Sequence, residues 1–253
     1  HFALVSSVRA ISILIFCLGL ILFRQPYHYF GLVFTVSEIL LFVVILFFKP
    51  IDFSFNKNQF QNWIKKHLNF GSRSVIHGLF SEAFIRIDIL MLGFFLSDPK
   101  VGIYSFAAFF LEGLYQIPVV VRNLNNPILV KMLIDKNRDK LIKFTRKTAS
   151  FSLGLTLLGS ALIAIIYPHL DLFFDAETIR VSYPILLVLL GGMVIYSVSI
   201  PFDYIFITGG RPGIQSGFMS LNVAVNVGLN YYLIPLYGLM GAGIATVTSF
   251  ISA

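Results

Sequence analysis

The stretch GSRSVIHGLFSEAFIRIDILMLGFFL, residues 71–96, decides how the rest of the chain is read. It is mostly apolar and long enough to cross a bilayer, which takes roughly 20 residues at about 1.5 Å each. Yet Glu82, Arg86 and Asp88 sit well inside it. Each would cost about 2.5–3.5 kcal/mol at mid-bilayer on insertion scales, so such a helix does not face lipid on every side. Something must partner or hydrate those charges, and its nature bears on function.

The surrounding composition agrees with a membrane setting. Apolar residues make up 57% of the chain and charged ones only 12%. The mean hydropathy of +0.84 lies outside the range of soluble globular domains. Several apolar runs have spanning length, whereas short segments of strict apolar–polar alternation, the mark of a membrane barrel, are missing. The class expected is therefore an all-α polytopic membrane protein. The single cysteine, Cys17, lies in an apolar run, which excludes a disulfide framework and a cysteine metal cluster and reads as a small buried side chain. The chain opens at His1 without an initiator Met, closes at Ala253 inside an apolar run, and shows no cleavable signal; it reads as an internal fragment or truncated product.

Outward from the opening stretch, the other expected spans are residues 2–23, 29–48, 101–121, 148–167, 183–207 and 214–233, with an eighth from 241 cut short by the chain end. Between them lie a basic, aromatic segment at 49–70, a strongly basic one at 122–147, an acidic loop at 168–182, and the Gly/Pro-dense turn 208–213. Lysines interleaved with Phe53, Phe55, Phe60 and Trp63 would suit single-stranded nucleic acid. Flanked by spans, they are better read as a helix on the membrane surface, and no nucleic-acid partner is expected. Thirteen of the nineteen Lys and Arg residues fall within 49–73 or 122–147. Alternating spans put 49–70, 122–147 and 208–213 on one face, which the positive-inside rule makes cytoplasmic. The acidic Asp171 loop then lies outside.

Helical geometry sorts the charges of the opening stretch. Glu82 and Arg86, four residues apart, share a face and can form a structural ion pair. Asp88 lies about 200° from Arg86, on the side of His77 and Arg73. It reads as lining a cavity or facing another helix. Arg9, Glu38 and Glu112 put ionisable groups on the other early spans, a pattern common where helices face an interior or a water-filled path. Glu112 and Gln116 form a polar stripe, followed by Pro118. Asn222, Asn226 and Asn230 recur every four residues, either as hydrogen-bonding glue between helices or as a sugar-binding stripe. Asp203, near a span end beside Pro201, reads as meeting headgroup water. Enzyme signatures are missing: there is neither a phosphate-cradling glycine loop nor a His-Glu-x-x-His zinc pair, and no long external loop to carry a site. No enzyme activity, metal or cofactor is expected.

Arg86-Ile-Asp88, followed by Val101-Gly-Ile-Tyr-Ser105, then Leu233-Ile-Pro-Leu-Tyr-Gly238 and Gly241-Ala-Gly-Ile-Ala-Thr246, resembles the polysaccharide-transport branch of the MOP superfamily, the Wzx-type flippases of O-antigen, capsule and exopolysaccharide units. The resemblance covers most of the chain from about residue 69. It implies a MOP/MATE-like bundle of two lobes around a central cavity, of which about seven complete spans and one truncated span are present. Residues 1–48 would end the N-terminal lobe with two spans, and 49–70 would be the cytoplasmic linker. Residues 71–253 would be the C-terminal lobe, with five complete spans and one truncated.

The function implied is flipping of undecaprenyl-diphosphate-linked oligosaccharide by alternating access in a bacterial cytoplasmic (inner) membrane. Its partners would be that lipid-linked oligosaccharide, membrane lipid, and polysaccharide polymerase or chain-length proteins. Arg9 and Arg86 would meet the diphosphate; Asp88, Glu112, Gln116, Asn222 and Asn226 would line the cavity. Asp88, Glu112 and Glu38 are the candidates to couple H⁺ or Na⁺, with passive flipping as the alternative. Competing readings are a multidrug or lipid II exporter of the same superfamily, and a polymerase-like or non-transporting component of glycan assembly. An exporter predicts an acidic, aromatic cavity, whereas arginines in the spans favour an anionic substrate.

Overall fold

A computed structural model describes residues 2–48, 57–135 and 138–252. Every regular element among them is helical: α1 (Phe2–Leu22), α2 (Phe30–Phe48), α3 (Lys57–Phe95), α4 (Asp98–Ile134), α5 (Arg138–Ile166), α6 (Ala176–Tyr196), α7 (Ile205–Thr208), α8 (Pro212–Tyr237) and α9 (Leu239–Ser252), with 3₁₀ turns at Tyr27–Tyr29, Tyr167–Leu172 and Ile200–Phe202. The chain forms two compact units, residues 1–62 and 63–253.

In the first unit α1 packs on α2 across a short connection. Small polar residues, Ser12 and Ser37, are buried beside Val33 and Leu41. Serine lets apolar helices approach closely without a bulky side chain between them.

The second unit is built around α4, which packs against α5, α6, α9 and the 3₁₀ turn at Ile200–Phe202. Leu92, Tyr104, Ala107, Leu186 and Leu189 form the fully buried centre. α3 joins it through side chains: Phe84 meets Phe250 of α9, and the Arg73 carbonyl accepts from Ser216 Oγ of α8 at 2.5 Å. Helix starts follow local chemistry. Ser97-Asp98-Pro99 opens α4 with proline in the first turn, where its missing N–H costs nothing. Asp175 caps α6 by accepting from the Thr178 N–H at 2.8 Å and its hydroxyl at 2.9 Å. These bonds hold the exposed Asp175 carboxyl below its usual 3.8. Gly238, at φ +58°, reverses the chain between α8 and α9. Gly241 then passes so close to the Leu233 carbonyl that a side chain there would collide with backbone.

Two elements run longer than their apolar spans. Residues 57–70, expected as a separate surface helix, continue into α3, a helix of 39 residues and about 58 Å. The glycines at 71 and 78 each cost about 1 kcal/mol relative to alanine, too little to divide it. Of the expected linker 49–70, residues 49–56 lie outside the described residues. α4 likewise carries the basic segment past Pro118 and Pro127 to Ile134; of that segment, residues 136 and 137 are outside the described residues.

The expected span 183–207 is shorter at its far end. α6 stops at Tyr196, and residues 197–204 run through turns and 3₁₀ geometry before α7. The cause is Pro201: without an N–H it leaves the Ser197 carbonyl, four residues back, with no helical donor. Ser152 Oγ of α5 donates to that carbonyl instead, at 2.7 Å. Ser152 belongs to a buried ladder of small hydroxyl residues on α5, Thr148, Ser152, Thr156 and Ser160, one per turn.

Three segments, Asp98–Ile134, Arg138–Leu172 and Ala176–Tyr196, are long and apolar enough to cross a membrane. Ser7–Leu22, Phe30–Leu46 and Leu239–Ser252 are shorter apolar helices. α3, with seven Lys, Arg, Asp and Glu residues, and α8, with three asparagines, fall outside both sets.

Candidate functional site: a charged cavity inside the second unit

A cavity of about 310 Å³ opens among α3, α4, α6, α8, α9 and the broken segment after α6. Three carboxylates line it, Asp88, Glu112 and Asp203, against one guanidinium, Arg122. Amides come from Gln215 and Asn222, and much of the remaining wall is aromatic, including Phe84, Tyr115, Tyr196 and Phe218.

Two polar clusters give the cavity its character. In the first, Asp88 of α3 is 4% exposed and is held from three sides. Tyr104 OH of α4 donates to Oδ2 at 2.5 Å, Thr246 Oγ1 of α9 donates to the same oxygen at 3.2 Å, and the Ile89 N–H reaches Oδ1 at 2.8 Å. A carboxylate in an apolar bundle is costly unless its lone pairs are met, and here three helices converge to meet them.

In the second, Arg122 near the far end of the α4 span sets Nη1 3.9 Å from Asp203 Oδ2. Its guanidinium also lies 3.9 Å from the centroid of the Tyr204 ring, within cation–π range. His77 of α3 meets the same ring edge-on, with centroids 5.6 Å apart. The non-helical backbone after Pro201 is what turns Asp203 and Tyr204 toward Arg122. Irregular backbone at membrane depth is tolerated where it lines a cavity. Several polar atoms here have no hydrogen-bond partner among the described residues: both ring nitrogens of His77, Nε of Arg122 and Oε1 of Gln215.

The sequence-derived candidates divide accordingly. Asp88, Glu112 and Asn222 line the cavity. Arg86 does not: it is exposed and reaches across to Glu112 at 3.8 Å. The expected Glu82–Arg86 pair is not formed, because the long arginine side chain finds a carboxylate on the facing helix; Glu82 stays exposed. Gln116 lines a shallow recess between α4 and α5, shared with Glu112. Asn226 has no exposed surface, and its Oδ1 accepts from Asn230 Nδ2 at 2.8 Å, so this pair is packing within α8. Arg9 and Glu38 lie in the first unit, paired at 2.7 Å and about half exposed.

Sequence reasoning misses Arg122, His77, Tyr204 and Gln215 as site residues, and Asp203, expected to meet headgroup water, lies instead in the cavity lining against Arg122. Arg122 was counted as a cytoplasmic charge. One signal was available: on α4, Glu112, Tyr115 and Arg122 fall within about 80° of one another around the helix. Asp203 carried no comparable signal, since its direction depends on the break.

No protein-family model matches the chain, and no solved structure matches it. Among curated proteins it is similar to the probable low-salt glycan biosynthesis flippase Agl15 of Haloferax volcanii, with 22% identity over 208 residues. That stretch is 79% of this chain and 42% of the relative, so the chain spans less than half of the protein it matches. Membrane-length apolar helices and this likeness together describe a multi-pass membrane protein, similar to a flippase.

Proposed function

We propose that the protein flips a lipid-linked glycan across its membrane, and that the cavity of the second unit belongs to the path of the glycan head. The observation that supports this most is a buried polar cavity, held by Asp88 and by the Arg122–Asp203 pair, inside otherwise apolar helices. The likeness to a probable glycan biosynthesis flippase favours the same reading over an enzyme or a scaffold.

In its finer form the proposal has seven complete spans and one truncated span. Residues 1–48 end one lobe of a MOP-type transporter, 49–70 link, and 71–253 form the other lobe. The cargo is an undecaprenyl-diphosphate-linked repeat unit, moved outward by alternating access in a bacterial cytoplasmic membrane, with a polymerase or chain-length protein as downstream partner. Arg9 and Arg86, each with more than half its side chain exposed, are the cations available to the diphosphate. Asp88 and Glu112, with Glu38 in the first unit, are the carboxylates a coupling H⁺ or Na⁺ would neutralise. Asn222 faces the cargo beside them, and Gln116 and Asn226 serve the helix contacts around it.

The test is full-length protein in vesicles carrying a fluorescent undecaprenyl-diphosphate-linked glycan, read by a membrane-impermeant quencher. Flipping above protein-free vesicles, slowed in Arg86→Ala, supports the proposal; rates equal to protein-free vesicles sink it. Equal rates with and without an imposed H⁺ or Na⁺ gradient remove coupling alone. A second reading is export of a cationic amphiphile, favoured by a lining of three carboxylates, one arginine and many aromatics. Gradient-driven efflux of a lipophilic cation without glycan flipping would establish it.

A further inference from the structure

We infer that the cavity takes one or two sugar rings that carry no acidic group, neutral or amine-bearing, and holds the diphosphate of the cargo outside. The inference rests on the flippase reading and adds to it the class of sugar the site accepts.

Charge supports the exclusion. The guanidinium of Arg122 is opposed by Asp203 at 3.9 Å and covered by Tyr204, so it is not presented as a free cation. Of the other two carboxylates, Glu112 is opposed by Arg86 at 3.8 Å and Asp88 meets only neutral donors, so the lining offers an anionic group and no unpaired guanidinium. A uronate or a diphosphate entering this space would face like charge in a medium of low dielectric, where such repulsion is strongest. An ammonium group would meet the opposite field. Arg86, with its exposed guanidinium, is not among the lining residues and pairs with Glu112 at 3.8 Å.

Hydrogen-bond chemistry separates a sugar from a lipophilic cation. His77, Arg122 and Gln215 are each more than nine-tenths buried. All three line the cavity with an unpartnered polar atom. Together they offer both kinds of group: Arg122 Nε donates, Gln215 Oε1 accepts, and the imidazole can do either. Hydroxyls both donate and accept, so a sugar satisfies this set, whereas a quaternary cation satisfies none of it. Phe84 and Phe218 provide flat apolar surfaces for the C–H faces of a pyranose. The volume of about 310 Å³ is at the small end of ligand sites, suited to one or two rings rather than a whole repeat unit.

The experiment is saturation-transfer NMR on the full-length protein in detergent. The probes are methyl glucoside, methyl glucosaminide, methyl glucuronide, inorganic pyrophosphate and a tetraalkylammonium ion. Wild type is expected to bind the first two in mutual competition, with the glucuronide at least tenfold weaker and pyrophosphate unable to compete. Gln215→Leu and His77→Phe, each eluting as wild type, are expected to weaken the glucoside at least tenfold. Glucuronide or pyrophosphate displacing the glucoside at equal concentration would overturn the inference. So would glucoside binding untouched by both variants, or saturable binding of the ammonium ion alone. The competition is measured in wild type, so a variant that fails to fold does not shield the idea. Glycoside binding in a protein that does not flip lipid-linked glycan would defeat the proposed function and leave this site standing. Flipping without glycoside binding would do the reverse.

Discussion

Ser152→Ala tests whether the break in the sixth helix is held from outside. Pro201 removes the N–H that would serve the Ser197 carbonyl, and Ser152 Oγ supplies the replacement at 2.7 Å from a fully buried position. An orphaned buried carbonyl costs about 1–3 kcal/mol in soluble proteins. Interhelical bonds measured within membranes average about 0.6 and reach about 1.7 kcal/mol. Ser152→Ala is therefore expected to cost about 1 kcal/mol. The discriminating experiment repeats it with Pro201→Ala in place. Residue 201 then has an N–H that can reach the same carbonyl, and Ser152→Ala should cost less than about 0.5 kcal/mol, within ordinary additivity error. The assay is reversible unfolding of the detergent-solubilised protein with increasing SDS, followed by far-UV ellipticity. An equal loss in both backgrounds would refute the reasoning, since the hydroxyl would then be stabilising something other than the carbonyl that proline frees.

Tyr104→Phe and Thr246→Val each remove one donor from Asp88. The same unfolding assay should show the tyrosine change as the larger loss, about 1–2 kcal/mol, in line with its 2.5 Å bond against 3.2 Å. Gly192→Ala would press a methyl onto Val247 across the α6–α9 contact. A loss of about 1–3 kcal/mol is expected, partly recovered by Val247→Ala. The Asp175 cap has a pH signature. Its folded-state value is depressed, so its contribution is present above the ordinary 3.8 and disappears as pH falls through the lower folded value. Wild type and Asp175→Ala should thus differ in melting temperature at pH 6 and converge in strong acid; a constant difference would contradict the assignment.

Hydropathy made the helical membrane class legible at once, because burial in lipid needs long apolar runs whatever the tertiary detail. The positions of helix ends were less so. Residues 57–70 are polar yet hold no helix breaker, and in 122–134 Pro127 removes one helical N–H without ending the helix, so α3 and α4 carry on through. Within α3, the angle between residues 86 and 88 was readable from helical geometry, and the structure has an exposed Arg86 and a buried Asp88. Partners across helices were not readable. Arg86 had a carboxylate four residues back and another on α4, and the choice depends on how the two helices are rotated. Arg122 looked like one more cytoplasmic charge because its partner, Asp203, becomes its neighbour only once Pro201 has broken the sixth helix.

Trp63 and Cys17 are the chain's sole tryptophan and sole cysteine, and they belong to different compact units. Trp63 is largely exposed, with its ring 4.0 Å from that of His67. Nature has thus placed one fluorophore in one body and one thiol in the other. A maleimide acceptor on Cys17 would make an energy-transfer ruler between the two units without a single engineered residue.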